Sequence, residues 1–358
     1  MPIIDVLKNK GRILWDFIFS KNKQDVAIGL SIGHSNVIAV EVERKANEYK
    51  ILNIASREIG SDKNIAALIK DIFTNTKFTT DLINASISGS AVITRFINFP
   101  YMNKKDLRNS LEFEAENYIP FNLSEVILDY CILGEKKDDA KRSYSLALVA
   151  ARKEAIDGLH GLCRDAGIQL YAIDIDSFAC FNLYKLSYGD GDDTRTVALI
   201  NIGSELTTIT ILHNGTPAFT RDLVFGGMDI TKKISKAKNM SLEETEKFKL
   251  AIGTTDPEIK KIIAESLSYL IRELKLSFNF FKNQVQKGQD IDVSTLYFLG
   301  GSSGLTGLCD IIHAEMGITA TLFDPVKKFV IGESVDLQAI ERLERSLAVP
   351  LGLAIRRA

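Results

Sequence analysis

Two stretches of similar sequence decide the fold: VAIGLSIGHSNVIAVEV at residues 26–42 and TVALINIGSELTTITIL at residues 196–212. Each contains an apolar strand, a short turn that begins near a glycine, and a second apolar strand, which is the pattern of a β-hairpin. A shift of 170 residues along the chain superposes Gly33 on Gly203. An internal repeat at this distance predicts two domains with the same core, related by duplication.

Composition excludes several classes of function. The 358 residues are more than one core usually holds, and 46% of them are hydrophobic and 25% charged, as in ordinary globular proteins. A net charge of -2 provides no field that would attract nucleic acid, so no nucleic-acid partner is expected. The four cysteines and four histidines are scattered, so they predict no metal site. No segment reaches the roughly 20 apolar residues of a transmembrane helix.

Residues 1–24 differ in kind from the rest of the chain. They mix large apolar side chains with lysines and an arginine, and no small-residue cleavage site follows, so a signal peptide is not expected. Two interpretations stay open. The segment is either an amphipathic helix that rests on an anionic membrane surface or a loosely packed leader ahead of the first strand.

The segment between the two repeats has its own pattern. Residues 91–176 read as strand, helix, strand, strand, helix, strand, the order of a split βαβ module. Asn103 is expected to cap the first helix, and the polar stretch EKKDDAKR at 135–142 to form the turn between the two central strands. We therefore predict an inserted subdomain over this range. The first part of the first domain, at 25–90, precedes this insert, and a second domain at 177–336 follows it. A C-terminal helix at 337–358 returns to the first domain.

Three turns have the glycines that a phosphate site needs, because backbone N–H groups must converge on the anion. They are Gly33–Asn36, Gly203–Thr207 and Gly300–Gly304. A helix follows the third turn, and its N-terminus would favour negative charge. Neither GxxxxGK[ST] nor GxGxxG is present, so a P-loop or Rossmann site is not expected. Each turn alone is weak evidence, and the set of three is far more specific.

This set resembles the actin, Hsp70 and sugar-kinase superfamily. Within it, nearly the whole chain resembles the PilM family of type IV pilus assembly proteins, which is related to FtsA. The resemblance is carried, in chain order, by LEFEAENYIPFNLSEVILDY, LALVAARKEAIDGLHGLCRDAGIQLYAIDIDSFA, HNGTPAFTRDLVFGGMDIT, LYFLGGSSGLTGL and SLAVPLGLAIRRA. It implies an α/β, actin-like (duplicated ribonuclease-H-like) two-domain fold with an inserted βαββαβ subdomain.

The resemblance also implies a function and a set of site residues. It implies a cytoplasmic adaptor, peripheral to the inner membrane, that binds the cytoplasmic tail of a PilN-like membrane protein and connects it to the pilus assembly motor proteins of twitching motility. The positions that match nucleotide-binding motifs are Ser31, Gly33, His34, Ser35, Asn36, Asn201, Gly203, Ser204, Thr207, Gly226, Gly227, Glu273, Ser277, Gly300, Gly301 and Ser302. The candidate partner-binding residues are Tyr118, Ile119, Pro120, Phe121, Asn122, Leu123, Asp129 and Tyr130. An equal alternative makes Phe121 and Leu123 local core.

The sequence departs from the superfamily where acidic residues usually begin each hairpin and hold the metal. Ser31 and Asn201 stand there, and neither carries a negative charge or acts as a general base. Phosphoryl transfer depends on the metal and on positioned charge, so we predict a pseudo-ATPase with no catalytic residue and no metal ligand. Binding of ATP and Mg²⁺ themselves stays open. A basic residue that the family places after Glu273 is also missing, since Leu276 stands there.

Three alternatives remain at this point. In the first alternative, another carboxylate, Glu41 or Glu205, reaches the metal. The chain is an active ATP-dependent ATPase or kinase of the same superfamily, which would need acidic groups at both hairpins. The third is an FtsA-like or secretion-system protein of the same fold. His34 in the first turn is expected to offer a hydrogen bond and not to act in catalysis.

Overall fold

A computed structural model of the chain describes residues 25–46, 48–60, 64–138, 141–189, 194–252, 256–285 and 291–356. Its strands are β1 Val26–Ile32, β2 Asn36–Lys45, β3 Glu48–Glu58, β4 Ile83–Ile87, β5 Val92–Pro100, β6 Val126–Asp138, β7 Lys141–Arg152, β8 Leu170–Ile175, β9 Thr196–Ile202, β10 Thr207–His213, β11 Thr216–Leu223, β12 Thr295–Leu299, β13 Thr319–Leu322 and β14 Phe329–Ile331. Its α-helices are α1 Ile65–Asn75, α2 Lys104–Glu114, α3 Lys153–Asp165, α4 Asp176–Tyr188, α5 Gly227–Lys238, α6 Leu242–Ile252, α7 Pro257–Val285, α8 Leu308–Met316, α9 Leu337–Leu343 and α10 Ala348–Ala354. Both interpretations of the leader at 1–24 lie outside the described residues.

Two of the sheets repeat one topology. The first has the order β14-β3-β2-β1-β4-β8 and the second the order β11-β10-β9-β12-β13. In each, an antiparallel three-stranded meander continues into two parallel strands. The hairpin register repeats as well, because Ser31 lies opposite Ile38 and Asn201 lies opposite Thr208. The predicted duplication is therefore confirmed at the level of individual strand pairs.

The inserted segment forms a third, smaller sheet with the order β5-β7-β6. Helix α2 covers one face of it, with Leu107 and Leu111 buried against Phe99 and Leu146. The predicted cap of this helix is confirmed, since the Asn103 side chain accepts from the backbone N–H of Asp106 at 3.0 Å.

Two features of the insert differ from the sequence-based expectation. The stretch EKKDDAKR is mostly strand and not a turn, because β6 and β7 remain paired as far as Asp138 and Lys141. The outer part of this hairpin has the cross-strand ion pair Glu135–Arg142 at 2.8 Å. Charged side chains are also found in a two-stranded ribbon whose two faces are exposed to solvent. Polarity alone therefore does not locate the turn.

The second difference concerns which elements belong to the insert. Strand β8 pairs in parallel with β4 at the edge of the first sheet, and α3 packs Leu159 and Cys163 against Ile28 and Ile69 of that domain. The predicted order of elements over 91–176 is present, but its last two elements pack with the first domain, which leaves βαββ around the separate sheet. Strand β14 also rejoins the first sheet before residue 337. The numerical domain limits themselves stay predictions.

Two helices lie between the two large sheets. Leu183 of α4 and Leu351 of α10 share one core with Val40 of the first sheet and Leu199 of the second. This arrangement fixes how the two hairpin ends face each other. None of the helices in the described ranges is long and apolar enough to cross a bilayer.

Candidate functional site

The two hairpin turns have the same geometry and meet at their tips. The backbone N–H of Gly33 donates to the carbonyl of Asn36 at 2.9 Å, and that of Gly203 donates to the carbonyl of Leu206 at 2.8 Å. Between them, His34 Nε2 lies 3.8 Å from Glu205 Oε2, with both side chains about half exposed. Exposed pairs of this kind contribute little to stability. The contact nevertheless shows that the turn containing His34, Ser35 and Asn36 faces the turn of the second domain.

Glu41 does not belong to this cleft. Its side chain is fully buried on β2, where it accepts from Asn53 Nδ2 at 2.6 Å and from the backbone N–H and hydroxyl of Thr79 at 2.6 and 2.8 Å. Both oxygens are therefore occupied inside the first domain. The alternative in which Glu41 reaches a metal is wrong, and the residue instead anchors the loop before β4.

The second turn is also joined to the N-terminus of α5. Backbone N–H groups of Gly227 and Met228 donate to the carbonyls of Gly203 and Ser204, at 3.0 and 2.8 Å. The N-cap residue Gly226 in turn donates to the Asp229 carboxylate at 2.9 Å. These hydrogen bonds satisfy donors that a helix start would otherwise leave open, so they fix the turn against the helix.

The third turn, Gly300–Gly304, packs against the end of β9, beside the second turn, and against Gly227 at the start of α5. Gly300 has φ +85°, and a Cβ there would lie 2.4 Å from both Asn201 Oδ1 and the Ile202 carbonyl. A Cβ on Gly227 would lie 2.1 Å from Ser302 Oγ. Only glycine allows approaches this close. The structure thus brings together Asn201, Gly203, Ser204, Gly226, Gly227, Gly300, Gly301 and Ser302, all predicted from the sequence.

Three other predicted nucleotide residues are placed differently. Thr207 is fully buried, and its hydroxyl donates to the Phe225 carbonyl at 2.8 Å, so it faces the core. Glu273 and Ser277 lie on α7, where Arg221 of β11 is 3.0 Å from Glu273 Oε2. The Ser277 hydroxyl donates to the Glu273 carbonyl at 2.8 Å. Their contacts are with β11 and not with the glycine turns.

Sequence reasoning missed the cation at this site. The Lys249 side chain, only 4% exposed, has its Nζ 2.8 Å from Glu246 Oε1. The same ammonium is 3.0 Å from Thr231 Oγ1 and 3.4 Å from the Gly227 carbonyl. It therefore lies beside the Gly226–Gly227 turn, whereas Leu276, where a basic residue was sought, is half exposed on α7. The sequence signal that could have identified this lysine is the pair Glu246-x-x-Lys249, one turn apart on α6, the helix that follows α5.

A cavity of about 300 Å³ lies beside the second hairpin, between the start of the insert and strands β10 and β11. It contains two carboxyl groups that the sequence did not single out. Asp176 Oδ1 accepts from Ser86 Oγ at 2.5 Å, and burial raises the pKa of Asp176 to about 6. Asp222 accepts from Thr208 Oγ1 at 2.6 Å and from the backbone N–H of Gly89 at 2.9 Å, and burial raises its pKa as well. Over the described ranges, no group of three His, Cys, Asp or Glu side chains could hold a metal ion.

The candidate partner residues of the insert divide between core and surface. Ile119 is buried in a small core, and Phe121 and Leu123 pack against that core. The Arg152 guanidinium lies 4.4 Å from the centre of the Phe121 ring, and Asn122 accepts from the N–H of Ser124 at 3.0 Å. Local packing therefore accounts for most of Tyr118–Leu123, with Pro120 exposed.

The two strand residues of β6 face opposite ways. Tyr130 packs on the α2 side of the sheet, whereas Asp129 lies on the other face. Asp129 Oδ1 accepts from the backbone N–H of Tyr130 at 2.8 Å, and its enclosed Oδ2 has no hydrogen-bond donor within the described part of the chain. Burial raises the pKa of Asp129 to about 7, while the nearby guanidinium groups of Arg356 and Arg108 act to lower it.

Comparisons with known proteins agree with this architecture. The family model described as "Type IV pilus assembly protein PilM" matches residues 29–358. A chain of the solved PilM-PilN type IV pilus biogenesis complex is 29% identical with a TM-score of 0.80, and the similarity covers 92% of this chain and 98% of that one.

More distant relatives share the fold. The cell division protein FtsA of Bacillus subtilis is 32% identical over 106 residues, which are 30% of this chain and 23% of FtsA, so the match spans about a quarter of that relative's length. MreB5 of Spiroplasma citri, solved with AMPPNP, is 11% identical with a TM-score of 0.51, covering 92% of this chain and 95% of that one. The latter likeness shows an actin-like fold. Because the PilM model matches nearly the whole sequence, this chain belongs to the PilM family of type IV pilus assembly proteins.

Proposed function

We propose that this chain is a cytoplasmic adaptor of the type IV pilus inner-membrane complex, and that it binds the cytoplasmic tail of a PilN-like membrane protein. The observation that carries this proposal is the similarity, over almost the full length of both chains, to a chain solved in the PilM-PilN complex. Contact with the pilus assembly motors and a peripheral position at the inner membrane belong to the same proposal.

The insert offers a surface suited to an extended tail. Strand β6 is hydrogen-bonded only to β7, and β8 only to β4, so each ends its sheet among the described strands. An open strand edge presents unpaired backbone donors and acceptors, which an extended peptide satisfies by adding a strand. The tail would then gain affinity from its backbone and specificity from the side chains it passes.

Peptide binding tests the adaptor role directly. A synthetic peptide that copies the cytoplasmic tail of the PilN-like protein encoded in the same genome is expected to bind the purified chain with a micromolar or lower Kd. Isothermal titration calorimetry measures this, with a scrambled peptide of the same composition as control. If neither peptide binds a folded sample at high micromolar concentration, the adaptor role for this chain is wrong.

We propose further that the cleft binds ATP without turning it over. Support comes from Gly203, Gly226, Gly227 and Gly300, where added Cβ atoms would clash, and from the buried ammonium of Lys249 beside Gly227. Backbone N–H groups of the Gly33 turn, Ser302 and Lys249 would hold the nucleotide. Mg²⁺ fits the residues poorly, because Ser31 and Asn201 begin the hairpins and carry no charge. The adjoining carboxyls of Asp176 and Asp222 are already hydrogen-bonded to protein groups.

Turnover measurements separate this proposal from the enzymatic alternative. We expect no Mg²⁺-dependent phosphate release above the rate in buffer, since metal and positioned charge supply most of the catalysis of phosphoryl transfer. The two carboxyls of the cavity are the observation that favours an active ATPase instead. Sustained turnover that disappears in the Asp176→Asn variant, with nucleotide still bound, would establish that alternative.

A further inference from the structure

At the junction between the insert and the first domain, enclosed carboxyl groups outnumber enclosed guanidinium groups among the described residues. Asp174 lies on β8, and its Oδ2 is 2.9 Å from Arg356 Nε, with both side chains at most 5% exposed. Asp129 on β6 interacts electrostatically with this pair. The other neighbouring guanidinium, Arg108, is 65% exposed on α2 and lies 3.3 Å from Glu112. Among the described residues, the enclosed part of the junction thus holds two carboxyl groups and one guanidinium.

Because Asp174 pairs with Arg356, Asp129 is the carboxyl group of this set that is left without a counter-charge among the described residues. Its Oδ1 is satisfied by the neighbouring backbone N–H, but Oδ2 is enclosed without a donor from the described residues. A buried carboxylate without a counter-charge is costly, and that cost is what raises the pKa of Asp129 to about 7. A cation placed against Oδ2 would remove it and would balance the two carboxylates with two positive charges.

The fold determines the direction from which such a cation could come. Asp129 lies on an edge strand, and as a residue it keeps partial exposure although Oδ2 itself is enclosed. Asp129 and Cys131 both point away from α2. They lie on the side of Asp174, and burial together with the charge of Asp174 raises the pKa of both groups. A chain segment that extends along the outer edge of β6 would therefore pass its side chains beside Asp129.

We propose that Asp129 is the acceptor for a lysine or arginine side chain of an extended partner segment bound along β6. The proposal rests on the adaptor function proposed above and adds the chemistry of recognition. It requires a basic residue in the cytoplasmic tail of the PilN-like protein, and it assigns specificity to a buried ion pair formed only in the complex. The ion pair of Asp174 and Arg356 carries no net charge and holds the two parts of the junction in position.

A double-mutant cycle between protein and peptide tests this. The tail peptide and versions with each basic residue replaced in turn by glutamine are titrated against the full chain and against Asp129→Asn. We expect Asp129→Asn to weaken binding of the native peptide at least about tenfold, as truncated buried charge pairs do. One glutamine peptide should bind both proteins equally weakly. The exposed Asp157 on α3 supplies the control, since Asp157→Asn should bind like the wild type.

The outcomes separate the two levels of the proposal. If the wild type binds no peptide, the adaptor function fails and the Asp129 assignment with it. If the wild type binds but Asp129→Asn binds the native peptide within twofold of it, the tail is recognised and the Asp129 assignment is wrong.

A pH series needs no variant and covers the case in which Asp129→Asn misfolds. Affinity for the native peptide should rise between pH 6 and 8, as Asp129 loses its proton more readily. The other charged or titratable groups that act on it are Asp174, Arg356, Arg108 and Cys131, and burial raises the pKa of the Cys131 thiol. An affinity that does not change over this range contradicts the proposal.

Discussion

Replacing Lys249 by methionine should weaken ATP binding by about 30- to 150-fold, the equivalent of ~2 to 3 kcal/mol for a hydrogen bond from a charged donor. Methionine retains most of the side-chain volume but removes the only cation that contacts the Gly226–Gly227 turn among the described residues. The loss should therefore come from electrostatics and not from a cavity. Fluorescence titration with an ATP analogue measures the two dissociation constants.

The same helix supplies a matched control. Lys247 lies two residues earlier, is 77% exposed and pairs with Glu243 at 2.8 Å on the outer face. The Lys247→Met variant should bind ATP like the wild type. Equal affinities for Lys249→Met and the wild type, in samples with the same melting temperature, would show that the nucleotide is not held at the glycine turns beside α6.

The Asp129→Asn variant should show the largest change in stability. The pKa of Asp129 is raised from an ordinary value near 4 to about 7 by burial, so the folded state favours the protonated form. The stabilising contribution of this carboxyl is thus present below about pH 4 and disappears as the pH rises through 7. A shift of this size corresponds to ~4 kcal/mol, and partial exposure of the residue reduces the expected figure to ~2 to 4 kcal/mol.

Asparagine does not ionise, so the variant does not lose stability as the pH rises through 7. Relative to the wild type, its free energy of unfolding should increase by ~2 to 4 kcal/mol between pH 4 and pH 8. Urea unfolding at a series of pH values measures the difference, and Asp157→Asn at an exposed position should show no such trend. A constant difference between variant and wild type would mean that Asp129 is ionised normally in the fold. A residue that destabilises the free protein while tightening a complex is typical of a recognition site.

The repeat was the most informative feature of the sequence, for a physical reason. A hairpin depends on neighbouring residues, namely two alternating apolar strands and a glycine turn, so 26–42 and 196–212 revealed both domains without any long-range information. The cap at Asn103 could be predicted for the same reason, since a capping hydrogen bond spans three residues. A capping box of the same local kind is present at Ser241 and Glu244, where Glu244 N–H donates to Ser241 Oγ at 3.2 Å.

Errors arose where partners are distant in the chain. The α3–β8 unit has the local pattern of a split βαβ module, yet β8 pairs with β4, more than 80 residues earlier. The contact of Arg221 on β11 with Glu273 and Ser277 was likewise not foreseen, and the nucleotide role of these two residues stays a prediction. Lys249 was overlooked because the Glu246–Lys249 spacing indicates only a local ion pair on a helix and does not show that this helix packs on Gly227.

The sequence by itself therefore determined the duplicated fold, the glycine turns, the family and the loss of both acidic hairpin positions. All of these depend on residue identity or on contacts between near neighbours. The tertiary structure alone decided that Glu41 is an internal anchor, that the Lys249 ammonium lies buried beside Gly227 and that Asp129 has an enclosed oxygen without a donor among the described residues. Burial and counter-charge depend on which distant elements come together, and the energy of a charge in a protein is set by that environment more than by the residue that bears it.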